Sequence, residues 1–244
     1  MTVVLLDDTL RFPPPRIADP DGLLAIGGDL SPERLLEAYR RGIFPWYVQG
    51  QPILWWSPDP RLILYPQKFH LSRSLRRSLR TRRFVVSIDG CFERVIHLCG
   101  AVRSKHREDT WITPEMETAY GLLHRMGVAH SVEVWSENRL VGGLYGVSLG
   151  KAFFGESMFS LENDASKTAL AALVSFVLHH GFHWIDCQVT TDHLLRMGAE
   201  EIPRNRFLGL LRNAIGEPGI VGKWELPEGW LDPFIGSPPR PSAS

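Results

Sequence analysis

Disulfides are the first thing this chain lacks. Its three cysteines, Cys91, Cys99 and Cys187, supply no disulfide framework. It also lacks an excess of either charge. Lys and Arg total 27, Asp and Glu total 27, and the formal net charge is zero. Affinity for a polyanion must therefore come from a local patch and not from global charge. Long hydrophobic runs are missing as well. The longest, Ala169 to Leu178, is interrupted by Ser175 and falls short of the ~20 apolar residues that span a bilayer. Met1 to Asp8 has no basic segment leading into an apolar one, so a secretory leader is not expected. These absences point to a soluble protein of a reducing cytoplasm with no membrane partner. Internal repeats are absent too.

What is present starts with punctuation. Residues 2 to 6 suit a short strand, and Phe12 to Gly22 is a proline-rich connection. Ser31-Pro32 opens a helix with a serine cap and proline at the first helical position. Leu35, Leu36 and Tyr39 give that helix a buried side, and Gly42 closes it. Leu62 to Leu64 reads as a strand. Leu71, Leu75 and Leu79 recur at helical spacing, Phe84 to Ile88 alternates as a strand, and Phe92 to Cys99 spaces as a helix. Arg103 to Asp109 reads as a charged loop. Thr113-Pro114 caps a further helix whose buried stripe is Met116, Ala119, Tyr120, Leu123 and Met126.

The period then changes to two. Ser131 to Trp135, Leu140 to Val147 and Lys151 to Phe154 are strands joined by hairpin-length links. The third runs on through Gly155-Glu156-Ser157. A long apolar helix, Asp164 to His180, returns the chain as the strand His183 to Val189, which the crossover sets parallel to the third. Leu194 to Met197 and Arg204 to Ala214 read as helices. From Glu217 onward the composition predicts an irregular tail, loose from Ser237 to Ser244. The expected class is α+β, with a mixed, mostly antiparallel sheet. The expected division is a small N-terminal α/β domain over 1–62 and a larger domain over 63–244.

Three features carry chemistry. From Lys68 to Arg83 there are seven cations and no acid, and the arginines lie off the leucine stripe. Solvated helix faces mix signs; this one suits phosphates. Trp46, Trp55 and Trp56 read either as large core rings or as a pocket wall. Glu156, Asp186 and Gln188 are polar residues in apolar strands, and Asp186 and Gln188, two apart, share a face. They read either as a buried hydrogen-bond network or as the floor of a cleft opened where parallel strands diverge. No strong general base accompanies them, which favours an activated acyl group and catalysis by positioning. His179, His180, His183 and Cys187 lack metal-site spacing because Gly181 ends the helix between them. Cys187 is expected to face the core, opposite Asp186 and Gln188. Gly142-Gly143 and Gly146 sit inside the meander, where they suit a bulge or close backbone approach better than a phosphate cradle.

Gly27-Gly-Asp-Leu-Ser-Pro, Tyr39-Arg-Arg-Gly-Ile-Phe-Pro-Trp46, Trp55-Trp-Ser-Pro-Asp-Pro-Arg61, Thr110-Trp-Ile-Thr113, His130 to Trp135, Gly142 to Val147, Gly155-Glu-Ser-Met-Phe-Ser160, Ala165-Ser-Lys-Thr-Ala-Leu170 and Ile185-Asp-Cys-Gln-Val189 resemble the leucyl/phenylalanyl-tRNA–protein transferase family, colinearly from about Phe12 to Leu210. The resemblance implies a GNAT-like acyltransferase fold in the larger domain. It implies transfer of Leu, Phe or, to a lesser degree, Met from aminoacyl-tRNA to proteins with N-terminal Arg or Lys. It implies a bacterial, cytoplasmic, monomeric enzyme that feeds an N-degron adaptor and protease. It implies no metal and no coenzyme A, the aminoacyl-tRNA being a substrate. Trp46, Trp111, Phe153 and Ile185 would line or flank the side-chain pocket, assisted by Leu144 and Met158. Leu173 stands where the family pattern has a bulky aromatic, and Ile185 needs a twist or bulge to reach the pocket. Asp186 and Gln188 would be catalytic, orienting the attacking amine, and Glu156 would hold the acceptor's cationic end. Arg73, Arg76, Arg77, Arg80 and Arg83 would grip tRNA phosphates.

Two other readings compete. A coenzyme-A acyltransferase would want a pyrophosphate loop entering the long helix, but Glu156 to Asp164 bears three acids. A non-catalytic RNA-binding module would need only the basic helix, leaving the polar trio without a use.

Overall fold

The computed structural model describes residues 3–105 and 111–235. The chain opens with β1 (Val4–Leu6) and β2 (Leu23–Gly27), then α1 (Pro32–Arg40), β3 (Phe44–Pro45) and β4 (Leu54–Trp56). These strands form a small sheet in the order β1-β2-β4-β3. α1 begins where its cap predicts, with the Ser31 hydroxyl accepting from the Arg34 N–H and Pro32 in the first turn.

β5 (Arg61–Leu64), α2 (Arg73–Arg80), β6 (Val85–Ile88), α3 (Phe92–Lys105) and α4 (Pro114–Arg125) follow. The meander is β7 (Ala129–Ser136), β8 (Arg139–Leu149) and β9 (Ala152–Ser160). Then come α5 (Ala165–His179), β10 (Trp184–Gln188), α6 (Asp192–Arg196), β11 (Glu200–Ile202), α7 (Arg204–Ile215) and α8 (Asp232–Ile235). The large sheet has seven strands in the order β11-β5-β10-β9-β8-β7-β6. Among the described residues, the β9–β10 pair is the only parallel one in this sheet, as the crossover through α5 requires. The α+β class with a mixed, mostly antiparallel sheet is what the sequence predicts.

Alternation along the strands builds two cores. Leu144, Phe153 and Ile185 face α5, whereas Tyr145, Phe154 and Trp184 face α3, α4 and α7. Gly142 lets the start of α5 lie directly on β8. A Cβ there would stand 2.6 Å from that of Ala165.

Two expectations need correcting, and two further points add to the sequence reading. Met126 is not part of the buried stripe of α4; it caps the helix one residue past its end and is exposed. α3 continues to Lys105, so Arg103 to Lys105 are helical, and residues 106–109 of the expected loop lie outside the described residues. The short strand β11 has no signal in the sequence and exists because β5 offers it an edge. The segment after Glu217 is irregular as expected, apart from α8, yet it is tied down as far as Ile235. The Trp224 N–H donates to Asp89 Oδ2 at 2.8 Å, and its ring stacks on His130 and Phe176 at 3.7 and 4.1 Å between centroids. Residues 237–244 lie outside the described residues.

Candidate active site

β9 and β10 pair through three positions, Trp184 with Ala152, Ile185 with Phe153 and Asp186 with Phe154, and then separate. A bulge on each strand accompanies the separation. Tyr145 pairs with Ser157 while Gly146 pairs with Gly155, so Glu156 is an extra residue on β9. Asp186 pairs with Ile63 while Gln188 pairs with Leu62, so Cys187 is an extra residue on β10. Bulges bend a strand and re-aim its side chains. Here they open a cleft of about 360 Å³ between the strand ends.

The cleft is mostly apolar. Trp46 and Trp111 form one wall, Leu170 and Leu173 of α5 another, and Leu144, Met158 and Ile185 lie along the strands. The three tryptophans of the N-terminal part divide. Trp55 is a fully buried core ring, whereas Trp46 is 42% exposed and faces the cleft. Trp56 braces it, its indole N–H donating to the Trp46 carbonyl at 2.7 Å. Phe153 does not line the cleft. It is fully buried opposite Ile185 and packs toward Trp224, so it backs the wall instead of forming it. Ile185 reaches the cleft from the α5 face that regular alternation gives it, without the bulge it was expected to need, and it is Gln188 that the bulge brings round to the same cleft.

The bulges also decide the polar groups. Glu156 and Gln188 meet across the gap, with Gln188 Nε2 donating to Glu156 Oε1 at 2.7 Å. The Tyr120 hydroxyl donates to Glu156 Oε2 at 3.0 Å and shares a short hydrogen bond with the Tyr39 hydroxyl. Burial pushes the Glu156 carboxyl up to about 7. Hydrogen bonds from Tyr39, Tyr120 and Gln188 work against that rise, and the Asp186 charge adds to it. An ionised carboxylate only accepts hydrogen bonds, so it fixes the Gln188 amide with nitrogen inward and Oε1 toward the cleft.

Asp186 is held differently from what its neighbour suggests. Its carboxylate is fully buried and takes a two-point contact from Arg61, Nε to Oδ1 at 2.9 Å and Nη2 to Oδ2 at 2.6 Å. The same Oδ1 accepts the Gln188 backbone N–H at 2.9 Å, fixing a residue at a left-handed φ of 62°. The Arg61 guanidinium lies over the rings of Phe207 and Phe44, 4.5 and 4.8 Å from their centroids. Asp186 and Gln188 are therefore linked through backbone, and the expectation of two side chains side by side on one face gives way to the bulge.

Cys187, expected in the core, is half-buried and borders the cleft. Burial raises its thiol well above the ordinary range, leaving it a poor nucleophile. No group of three or more His, Cys, Asp or Glu among the described residues could hold a metal ion. Arg73, Arg76, Arg77, Arg80 and Arg83 are all exposed on or just beyond α2. Arg76 gives one N–H to the Phe234 carbonyl at 3.0 Å, and Arg83 is paired with Glu162 at 3.1 Å. Arg61, Tyr39 and Tyr120 escaped the sequence reading. The two tyrosines passed as stripe residues, and Arg61 as the end of a motif.

Comparison with known proteins adds the following. Residues 63–212 match the family model described as leucyl/phenylalanyl-tRNA protein transferase. Residues 28–59 match that of the leucyl/phenylalanyl-tRNA protein transferase N-terminal domain. A leucyl/phenylalanyl-tRNA–protein transferase of Desulfatibacillum aliphaticivorans is 57% identical over 93% of this chain and 97% of its own. One of Syntrophobacter fumaroxidans is 57% identical over 92% and 96% respectively. Among solved structures, FemX aligns over 74% of this chain and 71% of its own, at 11% identity and a TM-score of 0.47.

Proposed function

The chain belongs to the leucyl/phenylalanyl-tRNA–protein transferase family, and on that premise we propose that its cleft moves leucine or phenylalanine, and to a lesser degree methionine, from aminoacyl-tRNA to the α-amino group of proteins beginning with Arg or Lys. The observation that carries this is the juxtaposition of an apolar slot with Gln188, whose amide nitrogen is taken by Glu156, which leaves its oxygen for the cleft.

The aminoacyl side chain lies among Trp46, Trp111, Leu144, Met158, Leu173 and Ile185. Fixed ring walls reject β-branched shapes, and the dry lining rejects polar ones. The acceptor enters as a free amine and gives one N–H to Gln188 Oε1, which turns its lone pair toward the ester carbon. A C–N bond forms as the C–O bond to the terminal ribose breaks. The amine loses one proton and the ribose hydroxyl gains one. The ester is already activated, so holding the two reactants in register supplies most of the acceleration. No metal or coenzyme is required for such a step.

Asp186 acts through others in this scheme. With its charge met by Arg61, it is a positioning residue that anchors the backbone of Gln188. The Glu156 carboxylate, though committed to Gln188 and Tyr120, adds negative charge at the cleft wall that attracts a cationic acceptor terminus. The modified protein would pass to an N-degron adaptor and protease. Aminoacyl-tRNA supply fits a cytoplasmic site of action.

The direct test offers radiolabelled Leu-tRNA or Phe-tRNA with a peptide beginning with Arg. Label in the peptide is expected, with far less when that Arg is Ala. Failure to label the peptide at any salt concentration would sink the proposal. For the donor, Arg80→Ala is expected to weaken tRNA binding and lower the slope of log affinity against log salt by about 1. An unchanged slope would take α2 out of the RNA interface.

A further inference from the structure

The rim of the cleft carries positive charge that the step above does not use. α5 lines the cleft with Leu173 and Leu170, and Lys167 stands one turn nearer the helix start, on the same stripe. α6 lines it with His193 and Leu194, and Arg196 lies one turn beyond His193. The acids on these turns are Asp164, which already pairs with Lys167 Nζ at 2.8 Å, and Asp192, the first residue of α6. Among the described residues, His193 and Arg196 have no hydrogen-bond or ion-pair partner. Burial in the first place, and then the charges of Lys167 and Arg196, hold His193 below the ordinary imidazole range. Among the described residues Arg196 has no counter-charge at this mouth, Lys167 has only its partly exposed pair with Asp164, and His193 adds a ring N–H donor, so the mouth can take an anion.

Their position identifies which anion. On its other side, the first turn of α5 borders α2. Thr168 lines a second hollow, of about 810 Å³, together with Arg80 and Arg82. Positive groups thus run from α2, past the start of α5, to the cleft mouth. A donor whose side chain is seated in the slot places its ester and terminal ribose at the rim. The next group along a polynucleotide is a phosphodiester.

We propose that Lys167, His193 and Arg196 form a phosphate-holding rim that grips the phosphodiester next to the terminal nucleoside of the aminoacyl donor. This deepens the aminoacyl-tRNA reading and rests on it. The contact recognises charge and not base identity, so it positions the ester without selecting a sequence.

The test compares three amide-linked, non-hydrolysable probes: phenylalanyl-adenosine, which has no phosphate, phenylalanyl-cytidylyl-adenosine, which has one phosphodiester, and phenylalanyl-tRNA. Binding is read from tryptophan fluorescence across a salt series, so the comparison does not depend on turnover. Arg196→Ala and Lys167→Ala are each expected to weaken the dinucleotide probe about tenfold. Each should also lower its salt slope, whose ceiling for one single-strand phosphate is about 0.7, and the double variant should bring it close to zero. Adenosine-probe affinity should not change, and Arg196→Lys should recover most of the loss. Equal weakening of the adenosine and dinucleotide probes, or an unaltered dinucleotide affinity, would overturn the rim. If the wild-type protein transfers nothing from phenylalanyl-tRNA to an Arg peptide, the functional reading fails instead, and the two failures are told apart.

Discussion

Arg61→Ala is expected to cost about 3–5 kcal/mol of stability, because it leaves a fully buried carboxylate without its counter-charge. Urea unfolding measures this directly. Loss of Arg61 also frees Asp186 from the geometry that anchors the Gln188 backbone N–H, so transfer in the remaining folded protein should fall about 10²-fold. A stability loss below about 1 kcal/mol would mean that the pair is solvated and weak. The double variant Arg61→Met/Asp186→Leu separates folding from function. Replacing both charges by apolar groups of similar size is often neutral for stability, so this protein should fold. It still lacks the Oδ1 acceptor that fixes Gln188, so its turnover should stay low. Turnover equal to wild type in the double variant would leave Asp186 without any part in the reaction.

That pair also marks where sequence reading stops. Elements were legible because their signals are local. Ser31-Pro32 and Thr113-Pro114 cap helices within four residues of themselves, and both side-chain caps are in place. The meander and its crossover follow from a change of period and from link lengths. Arg61 and Asp186 are 125 residues apart and meet only because β5 and β10 are sheet neighbours, an order the sequence does not state. One signal was available: an arginine opening the apolar run Leu62-Ile63-Leu64, which can be buried there only where an acid meets it.

The bulges were equally hidden. Period two predicts that Asp186 and Gln188 share a face, and a single extra residue at Cys187 breaks that prediction. A bulge is a property of two strands in register, so neither strand announces it alone. The same logic explains Phe153. It precedes the bulge at Glu156 and keeps its core side, while Met158, which follows, is turned into the cleft. Tyr39 and Tyr120 fit helical stripes as well as phenylalanine would. Only the carboxylate between them gives their hydroxyls a purpose.

Gln188→Ala is expected to lower kcat by about 10²-fold with a smaller change in donor KM, since the amine loses the acceptor that orients it. The orientation of that acceptor depends in turn on Glu156. When Glu156 is ionised it can only accept, which keeps Gln188 Oε1 facing the cleft. When protonated it can donate, and the amide can turn its oxygen inward. With the Glu156 carboxyl raised to about 7, transfer should rise with pH through neutrality as the carboxylate forms. Glu156→Gln should remove the component near 7, because its amide does not titrate, and leave only the deprotonation of the acceptor α-amine at about 7.7–8.0. A pH profile identical in wild type and Glu156→Gln would assign the whole limb to the amine or another group. The same shift has a sign in stability. The folded-state value lies above the ordinary 4.5, so ionising Glu156 opposes folding. Below about 4.5 both states are protonated and the group contributes nothing. From there to about 7 the native protein loses stability relative to Glu156→Gln, by about 3 kcal/mol at the end of the window. Unfolding measured at pH 5 and pH 8 for both proteins tests this. A difference that does not grow with pH would show that Glu156 ionises as freely as an exposed carboxylate, and the link between its charge and the Gln188 amide would fall with it.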